Sequence, residues 1–419
     1  MRRPTAAAVA LMLLASACAG EGTGTGRGGS GAEDTSPIRI GVVGPMTGLA
    51  SFVGKNMKEG IQLAVDDINE AGGLLGRHVE FVERDDEYDP SKTTTAVREL
   101  IEREEVVALF GPASTSTYLS VARTVQDSSI PTWVIMAGPE LTDSVNPSAF
   151  RAYLPDRIQI KILVEYASSR YDRIAVLAGN EAEGEAFRNE AADALREAGK
   201  PAVAVEAFSQ DETDFSPIML KIKQSRADAL ILGTHLGLYA SRAVTAMKNL
   251  DFDPQVLGVA GLVNYTYPDL ARGAADGSIF VSFRNWSHLP ADQWPSAVRA
   301  FYDRYVETYL PDGERSATGA YRAYSTNFLT YDMVRIWASA VAKAGSDEPA
   351  DVVKVLNTDF SYPADDSVIG VSYRYSSTDH DGIEPGDLYM YRWTADAEGK
   401  FNLDVLGSVT DVLAGRAGV

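Results

Sequence analysis

From Pro37 onward the chain alternates short apolar runs with stretches of helical periodicity. That alternation is the pattern of parallel sheets with helices packed on their faces, so the fold class read from it is α/β. Ile38 to Val43 predicts a strand entering Gly44-Pro45-Met46-Thr47-Gly48, and Met57, Ile61, Ala64, Val65 and Ile68 mark one face of a helix stopped by Gly72-Gly73. Strands over 79–82, 106–110 and 132–136, with helices over 96–103 and 117–126, complete a first series. After a junction near Phe150 to Asp156 a second begins, with strands over 173–177, 202–208 and 229–232 and helices over 183–198 and 217–224. Helical sequence resumes over 291–310 and 327–344, and Leu388 to Trp393 alternates as a late strand. A chain of 419 residues, 45% hydrophobic, exceeds one ordinary core, so two or three domains are expected.

Open α/β sheets bind ligands at the carboxyl ends of their strands. Three loops of the first series sit there: Gly44 to Gly48, Gly111 to Thr117, and Met136 to Pro139. The second is the most chemical, because Ser114, Thr115 and Ser116 bring hydroxyls and free backbone N–H groups to a helix N-terminus suited to a carboxylate. An ordinary N-cap needs only one of those hydroxyls.

Composition removes several function classes. Lys and Arg number 38 against 58 Asp and Glu, a formal charge of −20, so there is no basic excess to neutralise a nucleic-acid backbone. The single cysteine, Cys18, excludes an intrachain disulfide and a Cys-rich zinc site, and four scattered histidines contain no H-E-x-x-H. No metal and no cofactor is expected. Asp85, Asp86, Glu87 and Asp89 lack EF-hand spacing and read as a solvated loop, Thr378-Asp379-His380-Asp381-Gly382 reads as a turn, and Phe301, Tyr305 and Tyr309 read as packing. Gly24-x-Gly26-x-x-Gly29 fits a dinucleotide fingerprint in letters only, since no strand precedes it.

Residues 1–17 read as a secretory signal, with Arg2 and Arg3 before an apolar run from Ala6 to Ala17. Ala15-Ser16-Ala17-Cys18 resembles the lipobox of bacterial lipoproteins, with alanine where leucine is usual. The resemblance implies cleavage before Cys18, lipidation of its thiol and anchoring on the outer face of the cytoplasmic membrane. Residues 18–36, rich in Gly, Thr and Ser, then form a flexible tether.

The run Ile40-Gly41-Val42-Val43-Gly44-Pro45-Met46-Thr47-Gly48, Gly60 to Asn69 and Ala71 to Arg77 resembles the opening of leucine/isoleucine/valine-type solute-binding proteins. Asp85 to Pro90, Phe110-Gly111-Pro112, Phe150-Arg151 with Asp156 and Gln159, Asp214-Phe215-Ser216, and Ala344 to Pro349 follow in that family's order. The resemblance spans about residues 38–395. It implies a type I periplasmic-binding-protein fold, with two lobes joined by a three-segment hinge that close over a small ligand, and ABC permease and ATPase subunits as partners. Lobe 1 is expected from 37–155 and 284–362, lobe 2 from 156–283 and 363–419, and the protein is expected to be a monomer.

By the same resemblance Thr115 matches the residue that binds a ligand carboxylate. The next loop is shortened to Ala137-Gly138 and lacks the family's threonine. The aromatic after the first loop becomes Val53 beside Phe52, the tyrosine of a Tyr-Gly element becomes Glu183 before Gly184, and the acid that meets a ligand ammonium falls near Ala260-Gly261. An ammonium buried without a counter-charge costs several kcal/mol, against the roughly 8 kcal/mol available at micromolar affinity. A substitute acid is therefore needed, and Glu183 is the candidate, with Glu181 and Glu185 beside it. His235 matches an aromatic ligand-facing position, and Asn264, Tyr265 and Tyr267 follow a strand over 255–259 where they could line the cleft. The expected function is capture of an amino acid or a related carboxylate or amide, and its delivery to an ABC importer. A ligand-sensing lipoprotein subunit is the alternative; an enzyme is disfavoured, since no G-x-S-x-G elbow or Walker A loop occurs.

Overall fold

The structure, a computed structural model, describes residues 35–48, 50–138, 146–284, 286, 291–309, 325–383 and 385–417. Cys18, the signal, the tether as far as Asp34, and Pro139 lie outside them.

The first series builds a five-stranded sheet. Its strands are β1 (Ile38–Gly44), β2 (Val79–Asp85), β3 (Leu109–Phe110), β4 (Thr132–Val134) and β5 (Ala149–Arg151), in the spatial order β2-β1-β3-β4-β5 with every pair parallel. Helices α1 (Ser51–Glu70), α2 (Pro90–Glu102) and α3 (Thr115–Ser128) connect them. The five apolar positions that the sequence marks on α1 are all buried, and Gly72 and Gly73 follow the helix with φ of 102° and 85°, where a side chain would be strained. In the core Trp133 lies between Phe110 and Phe150, each 5.6 Å away centre to centre, with Trp337 edge-on to Phe110. Burying each such ring contributes roughly 1.5–3 kcal/mol.

The second series builds a seven-stranded sheet. Helix α4 (Asp156–Ser168) leads into β6 (Ile174–Gly179), α5 (Ala182–Glu197), β7 (Ala204–Phe208), α6 (Ser216–Gln224), β8 (Ala229–Gly233), α7 (Gly237–Asn249), β9 (Gln255–Gly258), α8 (Thr266–Ala271) and β10 (Ile279–Phe283). After β10 the chain returns to the first sheet. Helix α9 (Ser296–Tyr309) holds Phe301 and Tyr305 in a buried stack, and its Tyr305 hydroxyl donates to Glu59 of α1 at 2.8 Å. Helix α10 (Ser325–Ala344) packs along α1, and α11 (Pro349–Leu356) follows.

Residues 363–383 sit differently from the lobe 2 placement the sequence suggested. Strands β11 (Phe360–Tyr362) and β12 (Tyr373–Tyr375) pair with each other, the Tyr375 hydroxyl donates to the Arg151 carbonyl, and His380 stacks on Phe150 at 4.6 Å. Aromatic packing against β5 therefore keeps this segment on the first sheet. Only β13 (Leu388–Ala395) and β14 (Phe401–Ser408) join the second, both antiparallel at its edge, before α12 (Val409–Leu413), so its order is β14-β13-β10-β9-β8-β6-β7. No helix among the described residues is long and apolar enough to cross a membrane.

Candidate functional site

In each sheet the chain reverses its order of addition once, between β1 and β3 in the first and between β6 and β8 in the second. Such reversals open a crevice at the carboxyl ends of the strands. The residues brought together come from those four strand ends: Phe52 and Val53 after β1, Thr115 after β3, Glu183 after β6 and His235 after β8.

Acidic side chains fix the first-sheet loops. Asp85 accepts hydrogen bonds from the Met46 and Thr47 backbone and from the Thr47 hydroxyl, and Asp89 caps α2 through Ser91 and Lys92. Asp86 is buried, in contrast to the solvated reading, and accepts from the Tyr88 N–H and the Thr93 hydroxyl. Tyr88 in turn donates to the Ala113 carbonyl at 3.0 Å, immediately before α3.

Ser114 is the N-cap of α3, accepting from the Thr117 N–H at 3.2 Å. That leaves Thr115 free for other work. Its hydroxyl accepts the Gly138 N–H at 3.3 Å and donates to the Glu183 carboxylate, which reaches over from the first turn of α5. Gly184 makes that reach possible: a Cβ there would lie 2.3 Å from the Gly179 carbonyl, so only glycine lets α5 start this close to β6.

Beside Glu183 lies a cluster that the sequence only partly announces. His235 Nε2 is 3.0 Å from Asp156 Oδ1 and 3.7 Å from Glu183 Oε1, and its Nδ1 is 2.9 Å from the Tyr153 hydroxyl. Asp156 is 4% exposed, Glu183 20% and His235 18%. Burial alone would lower the His235 pKa, but the charge and hydrogen bond of Asp156, with Glu183 behind it, hold it above the usual value. Burial raises the Glu183 carboxyl, opposed by His235 and reinforced by Asp156. His235 and Glu183 thus each hold a proton more readily than they would in water.

A long chain of contacts supports the Ala137-Gly138 loop. Fully buried Arg151 donates to the carbonyls of Met136 at 3.2 Å and Gly138 at 2.8 Å, and its guanidinium forms an ion pair with Asp381 at 3.0 Å. Asp381 also contacts Arg157 of α4, while His380 bonds the Ala149 carbonyl and Asn357. In the turn at 378–382 Thr378 and Asp379 are exposed, while buried His380 and Asp381 clamp the chain where it passes between sheets.

Two small cavities flank Glu183, of about 60 and 70 Å³. They share Tyr88, Glu183, His235 and Leu236 as a wall. The first is the more polar of the two, with Ser114, Thr115, Ser116, Glu181 and Gln210 beside Phe187 and Phe208; the second is more apolar, with Phe52, Val53, Met136, Ala137 and Asn264. Glu185 is exposed and lines neither, and Tyr265 and Tyr267 are buried in the second-sheet core, Tyr265 against Trp393 and Tyr267 bonded to Ser278. At Gly261 a Cβ would lie 2.4 Å from the His235 Cα, so no acidic side chain fits there. Asp156, which the sequence offers only within a motif, is instead the acid nearest His235. Arg151, Tyr153 and Asp381 were likewise missed as site residues, because their relation to the cleft is one of distant segments.

A family model described as "Periplasmic binding protein" matches residues 37–399. The chain is 25% identical over 329 residues to the Leu/Ile/Val-binding protein homolog 3 of Brucella melitensis, covering 76% of this chain and 83% of that protein. Among solved structures it is similar to a periplasmic binding protein type 1 from Bordetella pertussis, with a TM-score of 0.79 at 20% identity over 88% of this chain and all of that one. It is also similar to a branched-chain amino acid transporter substrate-binding protein of Streptococcus pneumoniae in complex with isoleucine, with a TM-score of 0.72 at 22% identity over 88% and 99%.

Proposed function

Because this chain belongs to the periplasmic binding protein family and has its type I fold, we propose that it captures a small amino acid in the cleft between its two sheets and, held by a lipid on Cys18, delivers it to an ABC importer. The family is one of extracytoplasmic solute-binding proteins that work with ABC transporters.

The observation that carries the amino-acid reading is the pairing of two opposite seats a few ångströms apart. Thr115 and the N-terminus of α3 offer donors for a carboxylate. Asp156 and Glu183 offer two acceptors for an ammonium, which answers the several-kcal/mol cost of burying that group unpaired. The Glu183 carboxylate accepts a hydrogen bond from the Thr115 hydroxyl. A ligand carboxylate displaces it, Glu183 turns to the ligand cation, and the wall between the two cavities opens. The apolar residues Phe52, Val53, Met136 and Ala137 then receive the side chain. Closure follows as a population shift, because the ligand touches both sheets only when they are together.

A thermal-shift screen of the purified protein against amino acids, amides and aromatic carboxylates tests this reading. A ligand that binds only the native state raises the melting temperature by mass action. Shifts with aliphatic α-amino acids, lost in Asp156→Asn, are expected; shifts confined to acids or amides without an ammonium would overturn the assignment of cargo.

A further inference from the structure

We propose that Asp156, Glu183 and His235 also form a seat for one divalent transition-metal ion, and that this ion and the ammonium of the cargo exclude one another. The metal claim stands on three donors from three separate strand-end segments; the competition rests on the amino-acid reading above.

Donor atoms of the three side chains all lie within 4.8 Å of one another. Ligands of a tetrahedral zinc ion sit about 2.0–2.2 Å from the metal, so neighbouring donors are roughly 3–3.5 Å apart. The His235 Nε2 distances of 3.0 Å to Asp156 and 3.7 Å to Glu183 bracket that value, and only a small movement would bring all three onto one ion. One imidazole and two carboxylates suit zinc, cobalt or manganese better than copper(I) or an iron–sulfur group. Their two negative charges balance a dication.

Outer partners are arranged as metal sites require. The Tyr153 hydroxyl holds Nδ1 of His235 at 2.9 Å, which turns Nε2 toward the carboxylates. Gln159 donates to Asp156 at 3.1 Å, and Thr115 holds the Glu183 oxygen that is not nearest the imidazole. Three protein donors leave a fourth position open toward the cleft.

The test titrates ZnCl2 and CoCl2 into EDTA-stripped protein, following heat for zinc and visible d–d absorption for cobalt. One equivalent should bind at micromolar affinity or tighter, and cobalt should show the intense bands of low coordination number. His235→Ala and Glu183→Gln should each weaken zinc by more than about a hundredfold, beyond the roughly 10–100-fold that losing an outer partner costs; Glu185→Gln, at an exposed position two residues on, should leave it unchanged. An amino acid found in the screen should raise the apparent dissociation constant for zinc linearly with its concentration, by the factor of one plus that concentration divided by its own dissociation constant. Zinc affinity no tighter than millimolar, or affinity indifferent to both variants, would overturn the site. The two readings fail separately: amino-acid binding that persists in EDTA without zinc binding removes the metal and leaves the cargo, and zinc binding with no amino-acid hit removes the cargo and the competition and leaves the metal seat.

Discussion

Asp381 is the counter-charge of an arginine that has no access to water, and removing it should be felt both in stability and in the cleft. Arg151 is fully buried and Asp381 is 4% exposed, with 3.0 Å between guanidinium and carboxylate. Breaking a buried pair by deleting one partner costs about 3–5 kcal/mol, because the remaining charge is left uncompensated. Arg151 keeps the carbonyls of Met136 and Gly138 as acceptors, so Asp381→Ala should fall toward the lower end. For a chain of 419 residues, an unfolding entropy of about 2.1 cal/mol/K per residue turns that cost into a melting temperature lower by about 3–6 °C. The same loss loosens the Ala137-Gly138 loop, whose N–H bonds Thr115, so cargo affinity should drop as well. Differential scanning calorimetry on Asp381→Ala, Arg151→Met and the double variant separates the contributions. The double variant should be more stable than the two single losses added together predict. A melting temperature within about 1 °C of the parent for Asp381→Ala, on the same scale, would refute the reasoning.

Thr115→Ala should weaken cargo at least about tenfold without unfolding the protein, since a hydrogen bond to a charged group is worth roughly 1.5–3 kcal/mol; calorimetric titration giving equal affinity would remove Thr115 from the site. His235 titrates above its usual 6.5, so its contribution to stability is complete below that value and is lost as pH rises through the elevated one. Urea midpoints should fall over that window in the parent and not in His235→Asn. Burial raises the Asp332 carboxyl to about 7 although it accepts from Ser367, Val368 and Ile369, so its protonated form favours the folded state and stability falls as pH rises from 3.8 toward that value; Asp332→Asn should flatten this part of the curve. Cys18→Ser should abolish labelled-lipid incorporation and release the protein from membranes, and continued membrane retention would refute the anchor.

Much of the fold was legible because its signals are local. The buried face of α1 and the strand before the Gly44 loop follow from residue spacing alone and reappear in the structure, whereas Leu388 to Trp393 forms the expected strand with its alternation broken by a bulge between Met390 and Tyr391. Thr115 was legible for the same reason: a Ser-Thr-Ser run after a strand and glycine is a helix start, whatever surrounds it. Glu183 entered through the family resemblance, at the place of its Tyr-Gly element, and the fold sets it between Thr115 and His235. The segment 363–383 was misplaced because its packing on Phe150 depends on aromatic partners more than 200 residues away.

The sequence by itself determined that two α/β sheets form and which strand ends carry hydroxyls and acids, since hydrophobic period and turn chemistry are written in neighbouring letters. Only the tertiary structure decided that Asp156, Glu183 and His235 meet, that Gly261 leaves no room for the acid expected there, and that Asp381 secures the loop beside Thr115. Those are contacts between segments tens to hundreds of residues apart, fixed by strand order and close packing, and no local period encodes them.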